Sequence, residues 1–242
     1  MNKVRSKIFI YLIPCLAIAT ILLVIASVFG TIAKAYIDSY WLHRFIRIFD
    51  LNTELNVPSV FSTFLIMLCS AALAANAQYS SRVDRLRWYT LSIIFIFLAS
   101  DELLSIHERL TIPVRSLLHT SGLFYFAWII PYGAGLLLGA IFYLPFLYRL
   151  PKRIRTRMLL AGAIYLGGAI VVESFEGAYL ERQNNVQDIW FELFTAIEET
   201  LEMSGMIVFL NALMAHLGVT VMKERSTHSE NIKVQPVAEL RH

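Results

Sequence analysis

Charge is what this chain has least of. Only 16% of its 242 residues are Asp, Glu, Lys or Arg, against 57% hydrophobic, a balance that excludes an ordinary soluble domain, in which about a quarter of residues are charged. Cysteine is nearly absent. Cys15 and Cys69 both fall inside long apolar runs, which excludes a disulfide framework and a thiolate metal motif. No Gly-rich phosphate loop, CxxC pair or GxSxG turn occurs, so the usual phosphate cradle, thiol redox centre and serine-hydrolase elbow are excluded too. Internal repeats and domain-separating linkers are also missing, and nothing points to nucleic acid as a partner.

What the chain has is apolar length. Runs near residues 8–33, 57–78, 86–106, 123–148, 158–180 and 193–217 each reach bilayer-crossing length, and in lipid such a run satisfies its backbone only as a helix. The expected fold is all-α: a polytopic membrane bundle of six transmembrane helices over residues 1–222, then a polar, disordered tail over 223–242. The first run follows MNKVRSK, but it is longer than the apolar core of a signal peptide and lacks a small-x-small cleavage site, so it reads as retained.

Lysine and arginine give the orientation. Six spans put 15 of the 21 basic residues on one side, including Lys3, Arg5, Lys7, Arg82, Arg85, Arg87 and the Arg149–Arg157 cluster. That side holds only Asp84, Glu224, Glu230 and Glu239 as acids, so the overall +3 divides into +11 and −8. Short cytoplasmic loops carry the positive excess; both termini are therefore expected in the cytoplasm.

Acids at membrane depth are the anomaly. The stretch FTAIEETLEMSGMIVFL carries Glu198, Glu199 and Glu202 inside the sixth run. Counting helical rise from the cytoplasmic end of each helix puts Asp101, Glu173 and Glu202 all at roughly 20–22 Å, with His107 or Glu108, Glu176, and Glu198 or Glu199 at roughly 26–30 Å. Glu173 and Glu176 are three residues apart, as are Glu199 and Glu202, while Asp101 and Glu108 are two turns apart. Each set therefore shares a face, and three helices contribute walls of one two-layer cluster. Glu181, Asp188 and Glu192 read as solvated helix ends, and Glu102, about a third of a turn from Asp101, joins them.

Between residues 101–123 and 173–202 there are 11 acids and only Arg109, Arg115 and Arg182 as fixed cations. Carboxylates this close cannot all stay ionised, so they share protons, face water or hold cations. The expected metal ligands are Asp101, Glu108, Glu173, Glu176, Glu199 and Glu202, with His107 as ligand or general base and Glu198 as a proton-transfer group. Such an oxygen-rich set suits a divalent Fe, Mn or Ca ion ahead of Zn. Carboxylate di-metal bundles are built comparably, although their Glu-x-x-His pair is missing here. In FDLNTELN, the alternating Asp50, Asn52 and Glu54 form a candidate second cation site resembling the start of a calcium loop, in competition with turn and cap chemistry ahead of Pro58.

The remaining features read as architecture. IDSYWLHRFIRIFD is expected to begin as an interfacial helix. The glycines of GLLLG (Gly135, Gly139) and of AGAIYLGGA (Gly162, Gly167, Gly168) are expected to be close-packing faces, and Trp88, Trp128 and Trp190 to be headgroup-belt residues. His119 and His216 look isolated, and Ser100, Ser105 and Ser204 read as bonded to their own helices.

FDLNTELNVPSVFST, FLASDELLSIHERL, GGAIVVESFEGAYL and IEETLEMSGMIVFLNAL together resemble a family of uncharacterised bacterial six-span membrane proteins over most of residues 45–217. That resemblance implies a bacterial inner-membrane location, the six-span fold and the same acids, without an activity. The residues themselves lead to an expected metal-dependent membrane hydrolase or oxidoreductase, acting from the extracytoplasmic side on a lipid or other hydrophobic substrate. A cation or proton transporter using the same acids is the main rival, disfavoured by the sparse polar residues of the cytoplasmic half; a structural or assembly subunit is the third reading.

Overall fold

In the computed structural model, residues 2–37 and 39–234 are described, with side chains for 11–34, 36–37 and 39–221. The elements are α1 (Asn2–Tyr36), α2 (Tyr40–Phe49), α3 (Val57–Gln78), α4 (Arg82–Leu104), α5 (Ile106–Leu118), α6 (Ile129–Arg149), α7 (Lys152–Leu166), α8 (Glu173–Arg182) and α9 (Ile189–Val234), with no strand among the described residues. Five segments are long and apolar enough to cross a membrane, and the bent pair α4–α5 makes a sixth if counted as one.

Local chemistry sets the element ends. Asn56 and Ser59 form a reciprocal capping box at the start of α3, with proline in its first turn, so two orphan backbone donors are satisfied at once. Ser81 accepts the Asp84 backbone N–H at the start of α4. No Gly or Pro lies between Gly218 and Pro236, and α9 accordingly runs on to Val234, into the segment expected to be a disordered tail; residues 235–242 lie outside the described residues. α2 leaves Tyr40, Trp41, Phe45 and Ile48 exposed and buries Ile46, the arrangement of a helix lying along an apolar boundary.

α9 is the centre of the bundle and packs on α1, α3, α7 and α8. The core gathers Leu65, Cys69 and Leu73 of α3, Trp88 of α4, Phe146 of α6, and Met203, Leu210 and Leu213 of α9. Helix α6 is peripheral, with only Ile129 and Phe146 buried. We call the end of the bundle that carries Arg82, Arg149 and Lys152 the basic end and the opposite one the acidic end.

Two departures from regular helix shape the acidic end. The third apolar run is not one helix: Ser105 takes a left-handed conformation (φ 49°), and α5 leaves α4 at 80°. Asp101 and Glu108 therefore do not share a face. Between α7 and α8, Gly167–Val172 form a π-helical turn. A Cβ at Gly168 would lie 2.7 Å from the Glu198 carbonyl oxygen, and one at Gly205 would lie 2.8 Å from the backbone N of Tyr165. The helices touch through these two glycines, as expected of close-packing faces. Gly135, Gly139, Gly162 and Gly167 have nothing within 4 Å of such a Cβ, so the close-packing expectation fails there. Trp88 and Trp128 are 1% and 7% exposed, so neither belongs to a headgroup belt; Trp190, at 61%, is placed as that reading requires.

Candidate functional site

Because the chain turns sharply after Leu104, His107 folds back over the end of α4. Asp101, 6% exposed, receives the His107 backbone N–H at 2.8 Å and faces the His107 Nδ1 at 3.2 Å. The Tyr132 hydroxyl donates to the same carboxylate at 3.1 Å. The ring of His107 lies 4.8 Å from Trp128 and 6.5 Å from Tyr132 between centroids, so the imidazole is held by one carboxylate and two aromatic neighbours.

Past the π-helical turn, α8 presents Glu173 and Glu176 toward α9, both buried. The indole Nε1–H of Trp128 donates to Glu173 at 2.6 Å, and the hydroxyl of Thr195 donates to Glu176 at 2.6 Å. Glu176 also lies within interaction range of the carboxyl of Glu198. Two carboxyls this close are stabilised when one of them carries a proton. On the next turn of α9, Glu202 takes a hydrogen bond from Tyr165. Glu198, Glu199 and Glu202 keep part of their stems accessible while their carboxyl ends lie inside the bundle.

Glu102 belongs here, not with the solvated helix ends. It lines an interior gap with Glu202, Tyr165, Met203, Met206 and Ser62. Ser62 is 7% exposed, and its hydroxyl turns toward Glu102 without closing a full hydrogen bond to any partner. An almost wholly buried hydroxyl left open and facing two carboxyls can donate to an ionised carboxylate or accept from a protonated one.

The loop before α3 covers this region. Asp50 forms an ion pair with Lys34 at 3.0 Å and accepts the Asn52 backbone N–H at 3.2 Å, while the amide nitrogen of Asn56 is shared among the backbone carbonyls of Asp50 and Arg47 and the Thr53 hydroxyl. Asp50, Asn52 and Glu54 therefore do not converge on one point, and the alternating donors work as turn and cap chemistry. Glu54 instead reaches the main cluster, where Ser105 hydrogen-bonds it and Glu108, His107 and Asp101 act on it electrostatically. Although the residue as a whole is exposed, its carboxyl is partly withdrawn from water, and that desolvation, followed by the charge of Glu108, raises its pKa above the ordinary value. Asp188 shows the reverse: the Tyr179 hydroxyl and the Phe191 backbone N–H hold it below the ordinary carboxylate range, and it caps the start of α9 in water.

Asp101, His107, Glu173, Glu176, Glu198, Glu199 and Glu202 thus come into one region, with Glu108 exposed at its rim and Glu54 and Glu102 added. Among the described residues no Lys or Arg pairs with any of these acids. Nor are any three His, Cys, Asp or Glu side chains among them grouped so as to hold a metal ion. A metal centre from Asp101, Glu108, Glu173, Glu176, Glu199 and Glu202 is therefore not supported by this arrangement. The donor chemistry suits a hard cation, but Trp128, Thr195, Tyr165, Tyr132 and His107 each occupy a carboxyl, and α5 carries Glu108 away from α4.

Trp128, Thr195, Tyr132 and Tyr165 were not legible as site residues. The available signal was their depth in the helices that carry the acids, and an apolar setting favours aromatic donors whose single N–H or O–H needs a partner. A family model matches residues 15–217. The chain belongs to that family, described as a domain of unknown function (DUF8692). The match takes in the whole carboxyl cluster, from Glu54 to Glu202, together with α1 from Cys15 and the helix carrying His216. No curated protein and no solved structure matches the chain.

Proposed function

We propose that this protein crosses a bacterial inner membrane six times with both termini in the cytoplasm, and that its carboxyl cluster binds protons from the extracytoplasmic side as part of proton or cation transport. The carrying observation is the close approach of the Glu176 and Glu198 carboxyls with no Lys or Arg paired to either among the described residues, an arrangement that a shared proton would stabilise. The orientation rests on the partition of Lys and Arg, and the membrane on the apolar segments. Glu54 and Glu108 are the water-facing members, through which protons reach Glu102, Glu199 and Glu202 inside. One objection raised by the sequence, the sparse polar residues of the cytoplasmic half, loses force. Ser70 and Ser92 bond each other at 2.9 Å, and Asn76 bonds His216 at 2.7 Å, within the packed basic half.

The test is flux. Purified protein in proteoliposomes, with a pH gradient across the membrane and a pH-sensitive dye inside, is expected to dissipate the gradient, and Glu202→Gln to abolish this. No flux in the wild type, or equal flux in Glu202→Gln, overturns the reading.

A second reading is favoured by donor chemistry, since many carboxyl oxygens and one imidazole share the region. It is a metal-dependent enzyme acting on a lipid or hydrophobic substrate, with Fe, Mn or Ca ahead of Zn. The carboxyls as arranged do not surround one point, so this reading demands a rearrangement. Stoichiometric metal in the purified protein, lost in Glu173→Gln and Glu202→Gln, would establish it over the first.

A further inference from the structure

His216 looks isolated in the sequence but is not isolated in the fold. It sits on α9 in the basic half, far along the helix from the carboxyl cluster, and its Nδ1 lies 2.7 Å from the Oδ1 of Asn76 on α3. Asn76 is 1% exposed, and the rest of its amide is committed. Its Nδ2 donates to the Ala72 carbonyl at 2.8 Å and to the Leu213 carbonyl at 3.1 Å. An amide nitrogen has two hydrogens to donate and carbonyls only accept, so these bonds use both and fix which end of the amide is oxygen. The Oδ1 has no hydrogen to give. The atom facing it on the imidazole must therefore be the donor, which makes the neutral ring the Nδ1–H tautomer and leaves the lone pair on Nε2.

One neighbour suits the protonated ring. Trp88, 1% exposed, lies 5.2 Å from the imidazole between centroids at a tilt of 34°, and an indole face attracts a cation at that range. Facing the ring, α3 offers the amide of Asn76 and α4 the indole of Trp88; α1 and α7 also pack on α9, and α7 carries Lys152, Arg153, Arg155 and Arg157 at this end. The charged residues at that end of α4, Asp84 and Arg87, pair with each other and with Arg149, and among the described residues no charged group acts on the ring. No described protein group bonds Nε2, and the residue is only partly buried. Proton uptake at Nε2 leaves the Nδ1–H to Asn76 bond intact, so it breaks nothing in the packed seam.

We propose that His216 is a second proton-binding site, at the basic end of the bundle, whose Nε2 lone pair is the acceptor because Asn76 holds the ring in the Nδ1–H tautomer. It goes beyond the transport reading and does not depend on it. It also bears on it, since Ser62, Cys69 and Asn76 recur every seven residues on α3, which places them along one face. Ser62 meets Glu102 and Glu202 across the interior gap, Cys69 donates to the Met206 carbonyl at 3.4 Å, and Asn76 donates to that of Leu213. One seam between α3 and α9 therefore carries a proton-binding group at each end.

The test reads the tautomer directly. Full-length protein with ¹⁵N-histidine, in phospholipid nanodiscs, is followed by solid-state NMR over about pH 5 to 9, the range in which imidazoles titrate. The His216 signals are assigned by their loss in His216→Gln. The expected result is a neutral ring with Nδ1 protonated at high pH, and protonation of Nε2 on acidification. A neutral ring carrying its hydrogen on Nε2, or a ring that does not titrate in the range, overturns the proposal. Asn76→Asp keeps an acceptor in place and is expected to retain the Nδ1–H tautomer while shifting the titration to higher pH; an unshifted titration counts against Asn76 as the positioning group. Absence of proton flux in the liposome assay would overturn the transport reading and leave the NMR result standing, so the two failures are distinguishable.

Discussion

The two ends of the bundle treat their acids in opposite ways. At the basic end, Asp84 lies near the surface, yet it has Arg149 at 2.6 Å and Arg87 at 3.5 Å. At the acidic end, Glu173 and Glu176 are buried, and their partners are an indole, a hydroxyl and another carboxyl. Apart from Asp50, buried and paired with Lys34 at 3.0 Å, and Asp101, which faces His107, the buried acids of the acidic end have no cation beside them, although burial makes an ionised carboxylate costly. A chain selected for stability alone would do the reverse. Acids left without a cation are what the proposed proton-binding site requires.

The largest expected effect comes from pushing the walls of the acidic end apart. Gly168→Ala forces a Cβ within 2.7 Å of the α9 backbone, and overpacking of this kind costs roughly 3 kcal/mol at its upper range. Denaturant or SDS titration of the helical signal in detergent should show it, with Gly135→Ala, where nothing lies within 4 Å, as the neutral control. Next, Trp128→Phe removes the 2.6 Å donor from Glu173 and should cost about 1–3 kcal/mol, the penalty for a buried group left unpaired. The same titration would contradict the assigned role of Trp128 if the variant matched the wild type.

Glu54→Gln tests the rim. Because the folded-state pKa is raised, folding favours the protonated carboxyl. The contribution is stabilising at pH below the ordinary carboxylate value and is lost as pH rises through the folded pKa. The amide variant should therefore melt higher than the wild type at neutral pH, with the gap closing on acidification, and a pH series of thermal melts checks the sign. The smallest effect belongs to the basic end. Asp84→Asn breaks an exposed pair and should cost under about 1 kcal/mol, less still at high salt. A cost matching that of Trp128→Phe would collapse the contrast between the ends.

Much of the acidic end was visible in the residues alone. Depth counting along Glu173, Glu176, Glu198, Glu199 and Glu202 brought these acids together because α8 and α9 are close enough to ideal helices for a fixed rise per residue to hold. It failed for Glu108, where a serine adopts a conformation that only tertiary context stabilises. It also failed for Glu102, because angular position on one helix says nothing of what the facing helix offers. Glu54 was assigned to a cation loop on its alternation with Asp50 and Asn52. The Asn56 capping box uses the loop differently and frees Glu54 to turn inward.

By itself the sequence determined the approximate limits of five of the apolar segments, their helical state, the charge difference between the two ends and which helices carry the acids. These properties are local and additive: hydropathy sums along a window, and each helical residue adds the same rise. Only the tertiary structure decided which donor each carboxyl meets, that the third apolar run folds back at Ser105, that Gly168 and Gly205 are contacts while Gly135 is not, and that His216 faces Asn76. Those outcomes depend on the direction of single side chains and on contacts between residues as far apart as Asn76 and His216. No pattern along one helix contains the face of its neighbour.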